Sequence, residues 1–259
     1  MCRLSLFVVS VCAVAAWGQA PSYTADGIVN ASDYSAGPFA PGSVIALFGS
    51  NLSRSPYALQ TSDIQYPYLP TVLNYTQVIV DNSPVALFYV SPKQVNFMVP
   101  TTDGVGQMTV QVVREGLAGP LITLPLLTAA PALFTWGNNL AVATHGDYSL
   151  VTASAPAHAG EIIVLFATGL GKTAPDPGVA EIPAYAAPIV NMSTLQVTLA
   201  GKAVDPSLIK YAGVTPQSAG LYQMNLEIPS WAPANPAIQV TVAGQTSVAG
   251  LILPVQPVP

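Results

Sequence analysis

Charge is what this chain has least of. Of its 259 residues, 7% are Asp, Glu, Lys or Arg, against about 25% in an average soluble protein. Twelve acids outnumber seven bases for a formal net charge of −5, and no run of basic residues occurs. Binding to nucleic acid needs clustered Lys and Arg to neutralise phosphates, so that class of partner is excluded. Histidine is almost as scarce, with His145 and His158 alone. The two cysteines, Cys2 and Cys12, both fall in the first twenty residues. Beyond those residues no apolar run reaches the length of a membrane span. The closest, 121–134, is broken by Pro125 and Pro131.

The first twenty residues are unlike the rest. A singly basic start, Met1-Cys2-Arg3, leads into a run from Leu4 to Ala16 that is apolar except for Ser5 and Ser10. Gly18 and Ala20 then stand at the −3 and −1 positions of a cut after Ala20. This is the layout of a secretory signal peptide over residues 1–20. A lipid anchor on Cys12 is disfavoured by the bulky Val11 before it. With the leader removed, the chain has no cysteine and must hold its fold by packing alone. The expected location is outside the cytoplasm: extracellular, periplasmic or on the cell surface.

Helical periodicity is also missing. Twenty-five prolines and twenty glycines interrupt the chain too often for long helices. Short runs rich in Val, Ile, Leu, Tyr and Thr recur between them: "SVIALFG", "QVIV", "VALFYV", "QVNFMVP", "MTVQVV" and "LITLPLL". Many short strands with regular turns predict an all-β sandwich or barrel. "QVIVDNSPVALFYV" reads as a hairpin turning at Asp81–Pro84, and "MTVQVVREGLAGPLITLPLL" as another turning near Glu115-Gly116.

The order then repeats. "PGSVIALFGSNLSRS" matches "AGEIIVLFATGLGKT", with Gly42 and Gly160 118 apart (160 − 42). "QVIVDNSPV" matches "QVTLAGKAV", with Gln77 and Gln196 119 apart (196 − 77). "KQVNFMVP" matches "YQMNLEIP", with Pro100 and Pro229 129 apart (229 − 100). Near-constant offsets mean two related units in tandem, expected over 21–130 and 131–259. "TAAPALFTW" lies at their boundary.

"EIIVLFATGLGKTAPDPG" contains the end of a nucleotide-binding P-loop, a strand running into Gly-Lys-Thr. The rest of the motif is absent. Five residues before Gly171 stands Phe166, not the glycine the phosphate wrap requires. Pro175 and Pro177 follow where a helix should open. The first unit has Ser-Asn-Leu-Ser-Arg-Ser at the same place. The shared feature is a strand ending in turn residues, so no nucleotide is expected.

Other chemistry is thin. His145, in "ATHGDYSL", suits a turn, and no Gly-x-Ser-x-Gly elbow supports a triad. The carboxylates mostly adjoin Gly, Pro or Asn and read as turn builders. No spacing fits zinc or calcium, and no cofactor is implied. A secreted hydrolase using His145 or a carboxylate pair stays open as an alternative. So does a purely structural spacer.

The polar-aromatic regions are the long excursions after the first main strand of each unit. The first, "SRSPYALQTSDIQYPYLPTVLNY", carries Tyr57, Tyr66, Tyr68 and Tyr75; the second, "KTAPDPGVAEIPAYAAPIVNMS", carries Tyr185. Long loops on compact β domains are often functional, and Tyr gives contact area at low entropic cost. These five tyrosines are the candidate ligand contacts. The opposing reading packs them down over the ends of the sandwiches.

"GIVNASDYSAGPFAPGSVIALFGSNLS", "VALFYVSPKQVNFMVP", "GEIIVLFATGLGKTAPDPG" and "GLYQMNLEIP" resemble, in order, the Solibacter-type uncharacterised C-terminal domain family. The resemblance covers about 27–253. It implies bacterial exported modules related to the IPT/TIG group of immunoglobulin-like folds, and it transfers no catalytic residue. The expectation is two tandem immunoglobulin-like β-sandwiches forming a non-catalytic module for binding, adhesion or assembly. Its partner would be a surface polysaccharide or an envelope protein.

Overall fold

The computed structural model describes residues 18–101, 104–137 and 139–257. Most of the expected leader, with Cys2 and Cys12, lies outside the described residues.

The chain is all-β, built mostly from antiparallel sheets that enclose apolar cores in the manner of a β-sandwich. Helix among the described residues is limited to single 3-10 turns: Ala25–Gly27, Thr61–Asp63, Met192–Thr194 and Pro206–Leu208. In the first half, one sheet runs in the spatial order Ile28–Asn30, Val44–Phe48, Gln94–Met98, Leu87–Val90, Tyr57–Ala58. The other runs Ile122–Leu126, Gly106–Arg114, Thr76–Val80, Ser83–Pro84.

The second half repeats that strand order and adds further strands to it. One sheet runs Ala132–Leu133, Ile162–Thr168, Tyr222–Glu227, Ile209–Val214, Ala187–Pro188. The other runs Leu251–Ile252, Ala237–Val242, Gln196–Leu199, Lys202–Ala203, with Leu140–Ala141 and Thr135–Trp136 beyond its first strand.

Alternation along the strands builds the cores. In Thr76–Val80 the residues at 76, 78 and 80 are buried and those between are not, and Tyr222–Glu227 repeats the pattern. Ile45, Leu47 and Phe97 from one sheet pack against Val78, Met108 and Val110 from the other. In the second half, Ile163, Leu165 and Met224 pack against Val197 and Val240. Each such buried side chain stabilises the fold by roughly 1.5–3 kcal/mol relative to exposure. Packing of this kind supplies what disulfides supply in many exported domains.

The repeat extends to single hydrogen bonds. Gln94 Nε2 donates to Asn96 Oδ1 at 2.9 Å, and Gln223 Nε2 donates to Asn225 Oδ1 at 3.1 Å. Leu52 and Leu170, equivalent in the pattern, are both fully buried.

One expected hairpin is shorter than the sequence suggests. Within this hairpin Thr76–Val80 meets only Ser83–Pro84, its other edge pairing with Gly106–Arg114; Leu87–Val90 crosses to the other sheet and pairs with Gln94–Met98. Past Pro84 the Val85 N–H still donates to the Val78 carbonyl at 3.0 Å, and Val85 and Ala86, both buried, then carry the chain between layers. The hairpin at Glu115-Gly116 is present, with both residues at positive φ, 51° and 80°.

The halves meet along a polar and apolar seam. Thr168 Oγ1 accepts the Val44 N–H at 2.9 Å and donates to the Gly220 carbonyl at 3.0 Å. Leu69, Ala86 and Met98 from the first half join Ala180 and Ile182 from the second in a third, smaller apolar cluster.

Candidate functional site

The Gly-Leu-Gly-Lys-Thr segment sits in that seam. Gly169 and Gly171 take φ of +72° and +91°. A Cβ on Gly169 would stand 2.2 Å from the Ala130 carbonyl oxygen, and one on Gly171 2.4 Å from that of Thr128. The glycines let two backbones cross, and the Gly171 carbonyl accepts the buried Tyr222 hydroxyl at 2.7 Å. Past Thr173 the chain pairs along 188–190 instead of opening a helix: Ala174 N–H donates to the Pro188 carbonyl and Val190 N–H to that of Lys172, each at 2.9 Å. That geometry presents no helix N-terminus to a phosphate.

His145 is held at both ring nitrogens. Nδ1 contacts the Glu161 carboxylate, and Nε2 lies 3.1 Å from the Ala155 carbonyl oxygen. Both partners are acceptors, an arrangement that favours the doubly protonated ring. The hydrogen bond to Glu161 raises its pKa, burial opposes the rise, and the Ala155 carbonyl adds to it. A ring so engaged has no free nitrogen to serve as a general base. Asp147 accepts the Ser149 hydroxyl at 2.6 Å and its N–H at 3.0 Å, as a turn builder does. His158 is exposed. Among the described residues, no three His, Cys, Asp or Glu side chains gather as a metal site.

The first excursion forms a groove of about 370 Å³ lined by Asp63, Gln65, Tyr68, Leu69, Pro70, Thr71 and Val72. Tyr57 begins it by pairing with Val90 on the sheet edge. The Tyr57 hydroxyl donates to the Asp63 carboxylate, 3.0 and 3.1 Å from its two oxygens. The Gln60 N–H donates to the same group at 2.8 Å. The bond to Asp63 raises the Tyr57 pKa. Gln65 and Tyr68 close a tight turn by exchanging backbone hydrogen bonds of 3.1 and 2.8 Å, with Tyr66 at its tip.

The groove is braced by the second excursion. Ile182 N–H donates to the Pro67 carbonyl at 2.7 Å, and Leu69 N–H donates to the Ala180 carbonyl at 2.8 Å. Tyr68 therefore pairs with Glu181, whose carboxylate folds back toward Gly178. Sequence alone treats the excursions as separate loops; in the structure they form one two-stranded wall.

The five candidate tyrosines divide. Tyr57 is half-buried and positions Asp63. Tyr66, Tyr68, Tyr75 and Tyr185 are 63%, 54%, 72% and 81% exposed. Tyr66 and Tyr68 share the turn at the groove, and Tyr185 lies four residues beyond Glu181 on the second excursion. Tyr75 stands apart, on a turn whose Asn74 binds Ser53 and whose carbonyl accepts the Glu115 N–H. Asp63, Gln65 and Thr71 escaped the sequence reading. The clue was an acid between the tyrosines in a chain with so few acids.

A wider cavity, about 480 Å³, opens beside Trp231. The ring there is already occupied, with the Lys202 ammonium 4.1 Å from its centre. Two smaller hollows lie beside Pro38 and beside Trp136, and neither His145 nor His158 lines any of these four.

No family model matches the chain, and no curated protein does. Among solved structures it is similar to SGBP-B of the Bacteroides ovatus mixed-linkage glucan utilization locus, in complex with mixed-linkage heptasaccharide. Identity is 12% over 95% of this chain and 47% of that one, with a TM-score of 0.33. It is also similar to the surface glycan-binding protein PbSGBP-B of Prevotella bryantii, at 12% identity over 90% and 41% and a TM-score of 0.28. Domains 5–6 of the S-layer protein SbsC match at 10% identity over 92% and 100%, with a TM-score of 0.26. The chain spans about half the length, or less, of the two glycan-binding proteins. The likeness is of strand arrangement alone.

Proposed function

We propose that this is an exported, non-catalytic module of two tandem immunoglobulin-like sandwiches, akin to the Solibacter-type family its motifs resemble. Its role is to bind a neutral polysaccharide in the groove of the first excursion. The carrying observation is the composition of that groove: the exposed Tyr68 beside Asp63, Gln65 and Thr71, on a turn hydrogen-bonded to the other half.

A sugar ring has an apolar C–H face and a rim of hydroxyls. A tyrosine supplies a flat apolar surface with a polar tip. A carboxylate and an amide supply acceptors and donors for neighbouring hydroxyls. Among the described residues, no Lys or Arg lines the groove, while Asp63 does, so an anionic chain is repelled and a neutral one is not. A spacer would bury its tyrosines; four of these five are more than half exposed. The occupied nitrogens of His145 argue against it as a hydrolytic base.

Affinity electrophoresis and calorimetry against neutral glucans, a charged polyuronate and purified envelope proteins test the reading. Tyr68→Ala should weaken glucan binding at least tenfold, about 1.4 kcal/mol, with melting unchanged. The triple change of Tyr57, Tyr66 and Tyr68 to Ala should abolish it. Tyr75→Ala should leave it intact. Equal affinity in Tyr68→Ala, or preference for the polyuronate or a protein, sinks the assignment.

A further inference from the structure

The wall between the two excursions fixes which way Glu181 turns. Its two hydrogen bonds join Ile182 to Pro67 and Leu69 to Ala180, which leaves Tyr68 and Glu181 directly opposed between them. Such a pair in an antiparallel ladder carries both side chains on one face, with Cβ atoms about 4.5–5.5 Å apart. The neighbours show which face it is. Leu69 and Ile182 are buried in the small apolar cluster, so Tyr68 and Glu181 turn away from it. Tyr68 is exposed and Glu181 half-buried. The Glu181 carboxylate lies against Gly178, where a Cβ would stand 2.9 Å from Oε2. Among the described residues, none of the four ion pairs involves Glu181.

Glu181 therefore stands at the rim of the groove, beside its exposed tyrosine, and it comes from the other half of the chain. An ionised carboxylate only accepts hydrogen bonds, and those it accepts are stronger than neutral ones. It takes donated sugar hydroxyls and repels a second carboxylate. Asp63 does the same within the groove. We propose that Glu181 is a specificity-determining contact supplied by the second half, met by a glycan that lies on Tyr68 and runs on past the rim. This rests on the groove reading and deepens it: the ligand is an internal stretch of a polysaccharide with free hydroxyls, not a chain end.

Calorimetry on the full chain tests this with a linear neutral glucan disaccharide, the matching hexasaccharide and a polyuronate. Glu181→Ala should weaken hexasaccharide binding by about fivefold, leave the disaccharide unchanged and leave melting unchanged. Glu181→Lys should strengthen polyuronate binding by about tenfold. Glu227→Lys makes the same change of charge at the far end of the second half, opposite Ile162, where the strand leading to the second excursion begins. It should bring no such gain. Unchanged hexasaccharide affinity in Glu181→Ala, no polyuronate gain in Glu181→Lys, or an equal gain in Glu227→Lys overturns the inference. The groove reading survives any of these as long as Tyr68→Ala still loses glucan. Full glucan affinity in Tyr68→Ala overturns both.

Discussion

The strand Val44–Phe48 and its counterpart Ile162–Thr168 begin and end by the same devices, yet with different residues. Just before the strand, Ser43 Oγ accepts the Ala40 N–H at 3.1 Å, and 118 residues later (161 − 43) Glu161 Oε2 accepts the His158 N–H at 2.9 Å. Just after it, Asn51 takes a φ of 57°, and 118 residues later (169 − 51) Gly169 takes 72°. The backbone plan is shared; the side chains record what each half must also do. The first strand's exit faces Gln19, which Asn51 binds. The second faces Ala130 and Ser43 in the seam, with no room for a side chain.

The largest effect should come from equalising the exits. Gly169→Ala puts a methyl group 2.2 Å from a backbone oxygen and 2.9 Å from Ser43 Oγ, at a positive φ that alanine resists. A loss of about 3–5 kcal/mol is expected. The matching change, Asn51→Ala, meets only the conformational penalty and a lost surface contact, about 1 kcal/mol. Urea titration of both variants checks this. Similar losses would mean that the seam yields more easily than its geometry implies.

A middle-sized effect distinguishes the next pair. Tyr222 is the counterpart of Lys93 in the repeated motif, but it is buried where Lys93 is exposed. Burial raises the Tyr222 pKa well above the ordinary phenol range, so the hydroxyl stays a donor to the Gly171 carbonyl. Tyr222→Phe leaves that carbonyl without this partner and should cost about 1–2 kcal/mol. Lys93→Ala should change stability by less than about 0.5 kcal/mol. Thermal melts of the two single variants separate the cases.

These pairs also show what the sequence could reveal. Strand runs, the Glu115-Gly116 turn and the repeat were legible, because alternation, turn chemistry and spacing are local. Phe166 and Pro175 were enough to dismiss the phosphate loop. What Gly169 and Gly171 do instead was not legible: they answer to Ala130 and Thr128, some forty residues away in sequence. The groove was half legible. Its tyrosines stood out, whereas Asp63 and Gln65 owe their place to Tyr57 and to the pairing of 67–69 with 180–182. The crossing at Val85–Ala86 was missed because both sheets accept the same apolar pattern.

The smallest effect lies where the two strands begin, and it depends on pH. Ser43 does not titrate, so the start of the first strand should be indifferent to pH. The start of the second is clamped by His145 on Glu161. The Glu161 hydrogen bond raises the folded pKa of His145 above its unfolded value of 6.5. The clamp's contribution is therefore complete below that unfolded value and fades as pH rises through the higher folded one. Asp147, whose charge also favours the imidazolium, changes the size of the effect but not its sign. The contribution should be no more than about 1 kcal/mol, in line with lightly buried ion pairs. Melting followed from pH 6 to pH 9 should fall by a few degrees in the native sequence. Glu161→Gln should flatten that fall, since the amide can still accept the His158 N–H but does not hold a cation. Ser43→Ala should lower melting equally at every pH. An unchanged slope in Glu161→Gln would move the pH response away from this clamp and make the two strand starts alike.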